Sequence, residues 1–306
     1  MEKLIASPLN YTGGKYKLLP QILPYFPKRI NNFVDLFCGG CNVGLNVVAN
    51  KNIYNDLNSY LINIYKTLKL LDKNFVIDLI YNIIEKYNLS LVSKNGYKYY
   101  NCESSNGLSN YNKKYFMKLR EDFNLRREEN DYYSIMLYVL IVYSFNNQIR
   151  FNSSGKFNLP VGKRDFNDRM LKKISSFIDV IKNQNSYFIS CDFRNFKTDK
   201  LTSDDFVYID PPYLITCATY NENNSWKEED ELDLLYFLDC LSDKNISFAL
   251  SNVLTSKSKK NDILLNWIEK NKNRYKLIPL NFDYSNSNYQ IKDRKSTTQE
   301  VLVVNY

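Results

Sequence analysis

The sequence predicts an α/β fold with a mostly parallel, doubly wound sheet and an inserted helical segment. Short runs of β-branched and aromatic residues alternate with stretches of helical spacing, as expected when strands are buried on both faces. Several of these runs end in an acidic residue, and the run 206–209 leads into Asp210-Pro211-Pro212-Tyr213. Two consecutive prolines cannot continue a ladder, so this strand must stop there.

Length and composition limit the classes of function. At 306 residues the chain can form one large domain, or a core domain with an insertion. Hydrophobic residues make up 44% of the chain, which argues against wholesale disorder. The net charge of +8 suits a polyanionic partner, although an ordinary basic protein has the same balance. There is no histidine, which removes the commonest general base and metal ligand.

The cysteines and the hydropathy pattern give further expectations. Cys38 and Cys41 have C-x-x-C spacing, but no second pair follows, so we expect reduced thiols and no metal site. No signal peptide and no apolar run of about 18 residues is found. We therefore expect a cytoplasmic protein without a membrane partner.

The tetrapeptide Asp210–Tyr213 is the main candidate site. It places a carboxylate, a proline-fixed carbonyl and an aromatic ring together. A tight surface turn would use the same residues. The buried run that precedes it favours a site instead, because open α/β sheets bind ligands at the carboxyl edge.

The first strands add glycine turns and acids. Gly13-Gly14 before Lys15 either presents N–H groups and a cation to an acidic ligand or caps a helix. A strand is predicted at 33–37, then a glycine turn at 38–44 that enters a helix. Asp56 follows Asp35 by about 20 residues, the spacing that grips ribose hydroxyls in doubly wound folds. Neither a P-loop nor the dinucleotide fingerprint is present, so a nucleoside triphosphate and NAD are disfavoured.

Helical spacing dominates from residue 57 to about 185, apart from a polar loop expected at 95–112. Within it, two alternating runs around Ser153-Ser154-Gly155 predict a β-hairpin whose amides, arginine and exposed aromatics suit contacts with bases. Between residues 150 and 173, seven lysines or arginines stand against two aspartates. A solvated basic loop is the alternative interpretation.

The sheet resumes after residue 185. We expect strands at 186–190, 206–209 and 246–251, and a closing hairpin of 276–280 with 300–304. A helix at 228–241 begins with acids that we expect to be exposed to solvent. The acids Asp35, Asp56, Asp192 and Asp210 should then meet at one edge of the sheet.

Together these motifs resemble the Dam-like class of DNA adenine-N6 methyltransferases, which includes the partners of restriction enzymes. The similarity covers nearly the whole chain. It rests, in family order, on Tyr11-Thr12-Gly13-Gly14-Lys15, Asp35-Leu36-Phe37-Cys38-Gly39-Gly40, Tyr54-Asn55-Asp56-Leu57-Asn58, Gln148–Asn152, Phe157–Gly162, Asp210–Tyr213 and Glu300–Tyr306. Tyr11, where some relatives carry Trp, and Cys41 in the glycine loop depart from the family pattern.

The resemblance implies a class I S-adenosylmethionine-dependent methyltransferase fold. Residues 1–60 and 165–306 would form the catalytic and cofactor-binding domain, and 61–164 an inserted target-recognition domain. It further implies S-adenosyl-L-methionine as cofactor, double-stranded DNA as substrate, a companion restriction endonuclease, and action as a monomer.

It also implies residue roles. The catalytic set is Asp210, Pro211, Pro212 and Tyr213, with Tyr213 stacking on a flipped-out base. The cofactor set is Tyr11, Lys15, Asp35, Phe37, Gly39, Asp56, Asp192, Phe193 and again Asp210. The DNA-binding set is Gln148, Arg150, Asn152, Lys156, Pro160, Lys163 and Arg164.

Three alternatives to a DNA adenine methyltransferase stay open: an RNA adenine methyltransferase, a DNA cytosine-N4 methyltransferase, and an inactive DNA-binding regulator. Asp at the first motif position, where Ser is commoner for cytosine, and the whole-chain match favour DNA adenine. The intact Asp210 motif argues against an inactive protein.

Overall fold

A computed structural model describes residues 4–11, 13–215, 226–256, 259–281 and 298–306. The chain divides into two compact units. The helical unit consists of Met1–Gly14 and Asn58–Gln184, and the sheet unit of Lys15–Leu57 and Asn185–Tyr306. Thr12, part of one of the quoted motifs, lies outside the described residues.

The described strands all belong to one sheet in the sheet unit. They are β1 (Asn32–Asp35), β2 (Lys51–Asn55), β3 (Ser186–Ile189), β4 (Phe206–Ile209), β5 (Ser247–Ser256), β6 (Lys259–Lys260), β7 (Lys276–Leu280) and β8 (Gln299–Val304). Their order is β3-β2-β1-β4-β5-β8-β7, with β6 paired to β5. Strands β1 to β5 pair in parallel, whereas β6 and β8 each pair antiparallel with β5, and β7 pairs antiparallel with β8. The predicted mostly parallel α/β sheet is confirmed.

The strand register explains why acids collect at one edge. Strands β1 and β4 are parallel with Asp35 opposite Tyr208, so Asp35 and Asp210 leave the sheet on the same side. All four residues of β4 are buried, as predicted for a strand covered on both faces. The sheet therefore delivers the tetrapeptide to its carboxyl edge.

The described helices lie in both units. They are α1 (Leu19–Ile22), α2 (Ser59–Leu70), α3 (Lys73–Lys86), α4 (Val92–Tyr99), α5 (Ser109–Asn124), α6 (Asp131–Tyr143), α7 (Asp168–Asn183), α8 (Glu228–Asp243) and α9 (Asp262–Lys270). In the helical unit, α6 is buried from Ser134 to Tyr143 and packs against α2, α3 and α5. Helix α7 packs on α2 and α3, so this unit extends further than the predicted insertion 61–164. Among the described residues, no helix has both the length and the apolar character needed to cross a bilayer.

Two local predictions were wrong. The glycine turn at 38–44 leads only into a three-residue 3₁₀ turn, Gly44–Asn46, because Val47 is already extended and the chain proceeds to β2. The polar stretch 95–112 is a loop only at 100–108, because the end of α4 and the start of α5 occupy the other half of it. Buried Tyr100 and Leu108 flank the remaining connection, so packing overrides local composition.

The predicted hairpin is a tight turn closed by one antiparallel bridge, between Phe151 and Phe157. Asn152 N–H donates to the Lys156 carbonyl at 2.9 Å. We expected exposed aromatics here, but Phe157 is buried and Phe151 stacks on Tyr60 with ring centroids 4.2 Å apart. The aromatic rings therefore anchor the turn to the helical unit.

The buried Asp205 carboxylate joins β1 to the loop before β4. It accepts N–H groups from Asn31, Asn32 and Thr202 at 2.6–3.0 Å. We expect Asp205→Ala to lower the free energy of unfolding by about 2–3 kcal/mol, because the backbone donors of Asn32 and Thr202 lose their acceptor. Urea denaturation measures this change. Asp204→Ala, which truncates an exposed neighbour, is the matched control. Equal midpoints for the two variants would contradict the prediction.

Candidate active site

A buried charge cluster forms where β4 ends. Lys15 Nζ lies 2.9 Å from Asp210 Oδ1 and 3.5 Å from Glu300 Oε1. The Tyr213 hydroxyl lies 2.9 Å from the same Asp210 oxygen and 3.1 Å from Glu300 Oε1. Lys15 Nζ also stands over the Tyr213 ring, 5.0 Å from its centroid. Four side chains from the amino-terminal turn, the β4 end and β8 thus form one network.

Burial makes the pairing of these charges obligatory. The side chains of Lys15 and Glu300 are 4% and 1% exposed, and that of Asp210 is 18% exposed. Burial alone lowers the pKa of Lys15, but attraction to Asp210 and Glu300 outweighs it and the pKa is raised. The Lys15 ammonium is therefore charged at neutral pH. Burial raises the pKa of Asp210, and Lys15 opposes that shift.

Glu300 is the member of the cluster to which the sequence analysis gave no role. It lies in β8, opposite Val253 of β5 and Leu280 of β7. The sequence does mark this residue. Glu300 is next to the unbroken apolar run Val301–Val304 of the same strand, where a carboxylate is unexpected.

Asp35 also lies at this edge, as predicted, and is 2% exposed. Its Oδ2 accepts the Gly44 N–H at 3.3 Å. Burial, reinforced by the negative charges of Asp210 and Asp56, raises the pKa of Asp35 to about 8. The carboxyl is consequently protonated at neutral pH.

The glycine turn and Asp56 support each other. The Gly39 N–H donates to Asp56 Oδ2 at 2.9 Å, and Gly39 and Cys41 both have positive φ, at 43° and 59°. Gly44 has a packing role, since an added Cβ would collide with the Tyr54 ring. The buried Cys38 and Cys41 both carry their thiols in reduced form. The turn thus fixes the Asp56 carboxylate beside a backbone loop.

Asp192 and Phe193 follow β3 as predicted. Asp192 accepts the Arg194 N–H at 2.9 Å and pairs with its guanidinium at 3.1 Å. Phe193 is buried, with ring centroids of Phe37 and Trp226 at 5.5 and 5.8 Å. Three aromatic rings therefore lie together beside Asp192.

Trp226 was missed by sequence reasoning, as was the acid that holds it. Its indole N–H donates to Glu231 Oε2 at 2.6 Å. The amides of Asn252 and Asn261 donate to the other Glu231 oxygen at 3.1 and 2.8 Å. The expectation that the first acids of α8 face solvent was therefore wrong for Glu231, which is fully buried.

Tyr11 belongs to the helical unit, where it is half-buried and its carbonyl accepts the Gly14 N–H at 3.1 Å. The predicted DNA-binding residues are also in this unit. Lys156, Pro160, Lys163 and Arg164 are exposed, whereas Gln148, Arg150 and Asn152 are half-buried.

Two of these half-buried side chains have structural contacts. Arg150 Nε donates to Asn158 Oδ1 at 2.9 Å, which orients the guanidinium plane. Asn152 Oδ1 accepts the N–H groups of Ser154 and Lys156 at 3.1 and 2.9 Å, so it shapes the turn.

Comparison with known proteins agrees with this arrangement. Residues 11–281 match the D12 class of N6 adenine-specific DNA methyltransferases. The type II methyltransferase M.FokI of Planomicrobium okeanokoites is 40% identical over 99% of this chain. The modification methylase StsI of Streptococcus sanguinis is 38% identical over 100% of it. The chain spans 43% of the length of each of these two relatives. The DNA adenine methylase of Escherichia coli K12 is 28% identical, over 80% of this chain and 79% of its own.

The protonated state of Asp35 gives a pH prediction. Its pKa is about 8 in the fold and roughly 4 when unfolded, so the folded protein binds one more proton between these values. The contribution of this proton to folding stability is fully present below about pH 4. It falls as the pH rises and is lost once the pH has passed 8. We expect Asp35→Asn, which cannot ionise, to gain on the parent by about 1.4 kcal/mol per pH unit. Urea unfolding at pH 5 to 8 measures the difference, and parallel curves would contradict it.

Proposed function

The chain belongs to the D12 class of N6 adenine-specific DNA methyltransferases, and from this premise we propose that it methylates N6 of adenine in double-stranded DNA. The observation that carries the proposal is the Asp210 carboxylate at the end of β4, held by Lys15 and Tyr213. We also propose that it acts as a monomer in the cytoplasm, at a specific site. The similarity to M.FokI and StsI supports a modification role beside a companion restriction endonuclease.

The chemistry requires acceptors at the target nitrogen. The lone pair of the adenine amino group is delocalised into the ring, which makes the nitrogen a poor nucleophile. Asp210 and the carbonyl of Pro211 would accept its two N–H bonds and favour a localised lone pair. The Lys15 ammonium stabilises the ionised form of Asp210, and an ionised carboxylate is the stronger acceptor.

Tyr213 would supply the surface for the target base. A base inside the duplex is out of reach, so the base must be flipped out before it stacks on an aromatic ring. The hydroxyl contacts to Asp210 and Glu300 fix the plane of the ring. Because Lys15 stands over one face, the base would stack on the other. Pro212 would set the direction of the chain between the two functional groups.

The donor set of the sheet unit fits S-adenosyl-L-methionine. When bound, this cofactor supplies an electrophilic methyl group on a sulfonium sulfur. Asp56, fixed by Gly39, would accept the ribose hydroxyls, and Asp192 with Phe193 would hold the adenine beside Phe37. The Asp35 turn and Lys15 would face the methionine part, and Tyr11 would help to enclose it.

The helical unit would read the DNA. Its exposed Lys156, Lys163 and Arg164 suit contacts with phosphates, which position an enzyme without specifying sequence. Arg150 would read a base edge, since a guanidinium with a fixed plane matches the O6/N7 edge of guanine. Gln148, Asn152 and Pro160 would complete this surface.

Transfer of label from tritiated S-adenosyl-L-methionine tests the function. Unmethylated DNA and RNA are offered separately, and the methylated base is identified by mass spectrometry. We expect N6-methyladenine in DNA. Label in RNA, or on N4 of cytosine, would select one of the alternative enzymes. Binding to DNA without transfer would indicate an inactive regulator.

Asp210→Ala should reduce methylation by at least about 100-fold, because it removes an acceptor that acts mainly in the transition state. DNA affinity should change little. Single-turnover label transfer and a gel-shift titration measure the two properties. Asp210→Asn, which keeps the shape but loses the charge, should be nearly as inactive. Turnover close to that of the parent in either variant would refute the role.

Substitution of Arg150 and substitution of Lys163 should have different effects on DNA binding. The methylated site is first identified by sequencing, so that cognate and random DNA can be compared. Arg150→Ala should cost about 1–3 kcal/mol on that site and relax the preference at one base pair. Lys163→Ala should weaken binding to all sequences alike and lower the salt slope by about one. Fluorescence anisotropy on cognate and random duplexes at several salt concentrations measures both. Equal losses on both duplexes for Arg150→Ala would make Arg150 a phosphate contact.

A further inference from the structure

Two donors in the charge cluster share the same pair of acceptors. Lys15 Nζ and the Tyr213 hydroxyl are both 2.9 Å from Asp210 Oδ1. Both are also close to one oxygen of Glu300, Oε1, at 3.5 and 3.1 Å respectively. The two donors therefore bridge two carboxylates, and each donor needs only a small movement to favour one over the other.

This arrangement occupies Oδ1, one of the two oxygens through which Asp210 would accept the adenine amino group. A carboxylate oxygen offers about two acceptor positions, and Lys15 and Tyr213 both point at the same Asp210 oxygen. The tyrosine hydroxyl has one proton, so it donates fully to only one carboxylate at a time. Oδ2 of Asp210 is the other acceptor, but an adenine amino group that binds at Oδ1 must compete with these two donors. A buried donor that gives up Asp210 needs another acceptor, because burial without a partner is unfavourable.

We propose that Glu300 is a positioning residue for methyl transfer, an inference that rests on the proposed function. Glu300 accepts the Tyr213 hydroxyl and draws Lys15 when the adenine amino group takes their place on Asp210. Protons stay on their donors throughout, and only the acceptors of the hydrogen bonds change. Glu300 acts through its neighbours and does not itself contact the reacting atoms.

The position of Glu300 suits this task. Its backbone is in β8, paired on one side with β5 and on the other with β7. Its side chain is 1% exposed, so water does not readily replace it as the acceptor. The tetrapeptide, by contrast, lies beyond the end of β4, where no ladder holds it. The Glu300 carboxylate is therefore fixed by the sheet, whereas the neighbouring Asp210 carboxylate is less constrained.

Two substitutions of Glu300 distinguish its contact with Lys15 from its contact with the Tyr213 hydroxyl. Glu300→Gln keeps an oxygen for the Tyr213 hydroxyl but removes the charge that attracts Lys15. Glu300→Met keeps a similar volume but removes the acceptor for both. The single-turnover rate is measured with unmethylated plasmid DNA and saturating S-adenosyl-L-methionine. We expect it to fall about 10-fold in Glu300→Gln and about 100-fold in Glu300→Met. Cofactor affinity, measured by calorimetry, should stay within about twofold of the parent.

Asp239→Asn is the matched control. Asp239 accepts the Tyr275 hydroxyl at 2.6 Å, so it is another carboxylate–tyrosine pair of the sheet unit, on helix α8. Its substitution should lower the melting temperature but leave the single-turnover rate within about twofold. If Glu300 were merely structural, its variants would behave like this control.

A double-mutant cycle tests the exchange itself. Tyr213→Phe removes the hydroxyl that has to change acceptors, so Glu300→Met should then cost only about 10-fold in rate. The same 100-fold cost in both backgrounds would overturn the proposal, as would a parent-like rate in Glu300→Met. A parent that transfers no methyl to any DNA would instead overturn the proposed function, and the inference with it.

Discussion

The sheet unit depends on one constraint, the burial of the Lys15 ammonium between the carboxylates of Asp210 and Glu300. A buried charge is tolerated only when partners replace the water it has lost. The three residues come from the amino-terminal turn, the end of β4 and β8, so the ion pairs join segments that are far apart in sequence. The same contacts set the ionisation of Asp210 and the plane of the Tyr213 ring. On the proposed mechanism, stability and chemistry therefore depend on the same atoms.

The part of the site that sequence could predict follows from the geometry of parallel strands. Asp35, Asp56, Asp192 and Asp210 each come at or just after the end of a parallel strand, so the side at which they meet is fixed by topology. Glu300 escaped this rule because β8 is antiparallel. The beginning of an antiparallel strand lies at the carboxyl edge of its parallel neighbour, as the pairing of Glu300 with Val253 shows. Because β8 begins at this edge, the rule for antiparallel strands would have predicted that Glu300 lies in the site.

Other predictions failed where packing overrides local pattern. Phe157 reads as an exposed ring in a polar turn, yet Asn124 bonds its backbone and the side chain is buried. Glu231 reads as one acid among several on a helix surface, yet three donors surround it. Asn124 lies 33 residues from Phe157, and Asn252 and Asn261 lie 21 and 30 residues from Glu231, so no period of two or 3.6 residues reveals these partners. Elements with an unbroken apolar pattern, such as α6 and β4, were predictable because their own residues determine their burial.

The division of the chain into two units has a consequence for how such enzymes diversify. The charge cluster of Lys15, Asp210, Tyr213 and Glu300 lies within Lys15–Leu57 and Asn185–Tyr306. The basic segment 150–173, which contains Arg150 and Lys163, lies within Asn58–Gln184. The chain passes between the units at only three points, after Gly14, Leu57 and Gln184. On the proposed division of roles, mutation and recombination in the middle segment would change the DNA sequence that is read and leave the charge cluster untouched. A lineage of enzymes built in this way would be able to change its target many times and keep one chemistry.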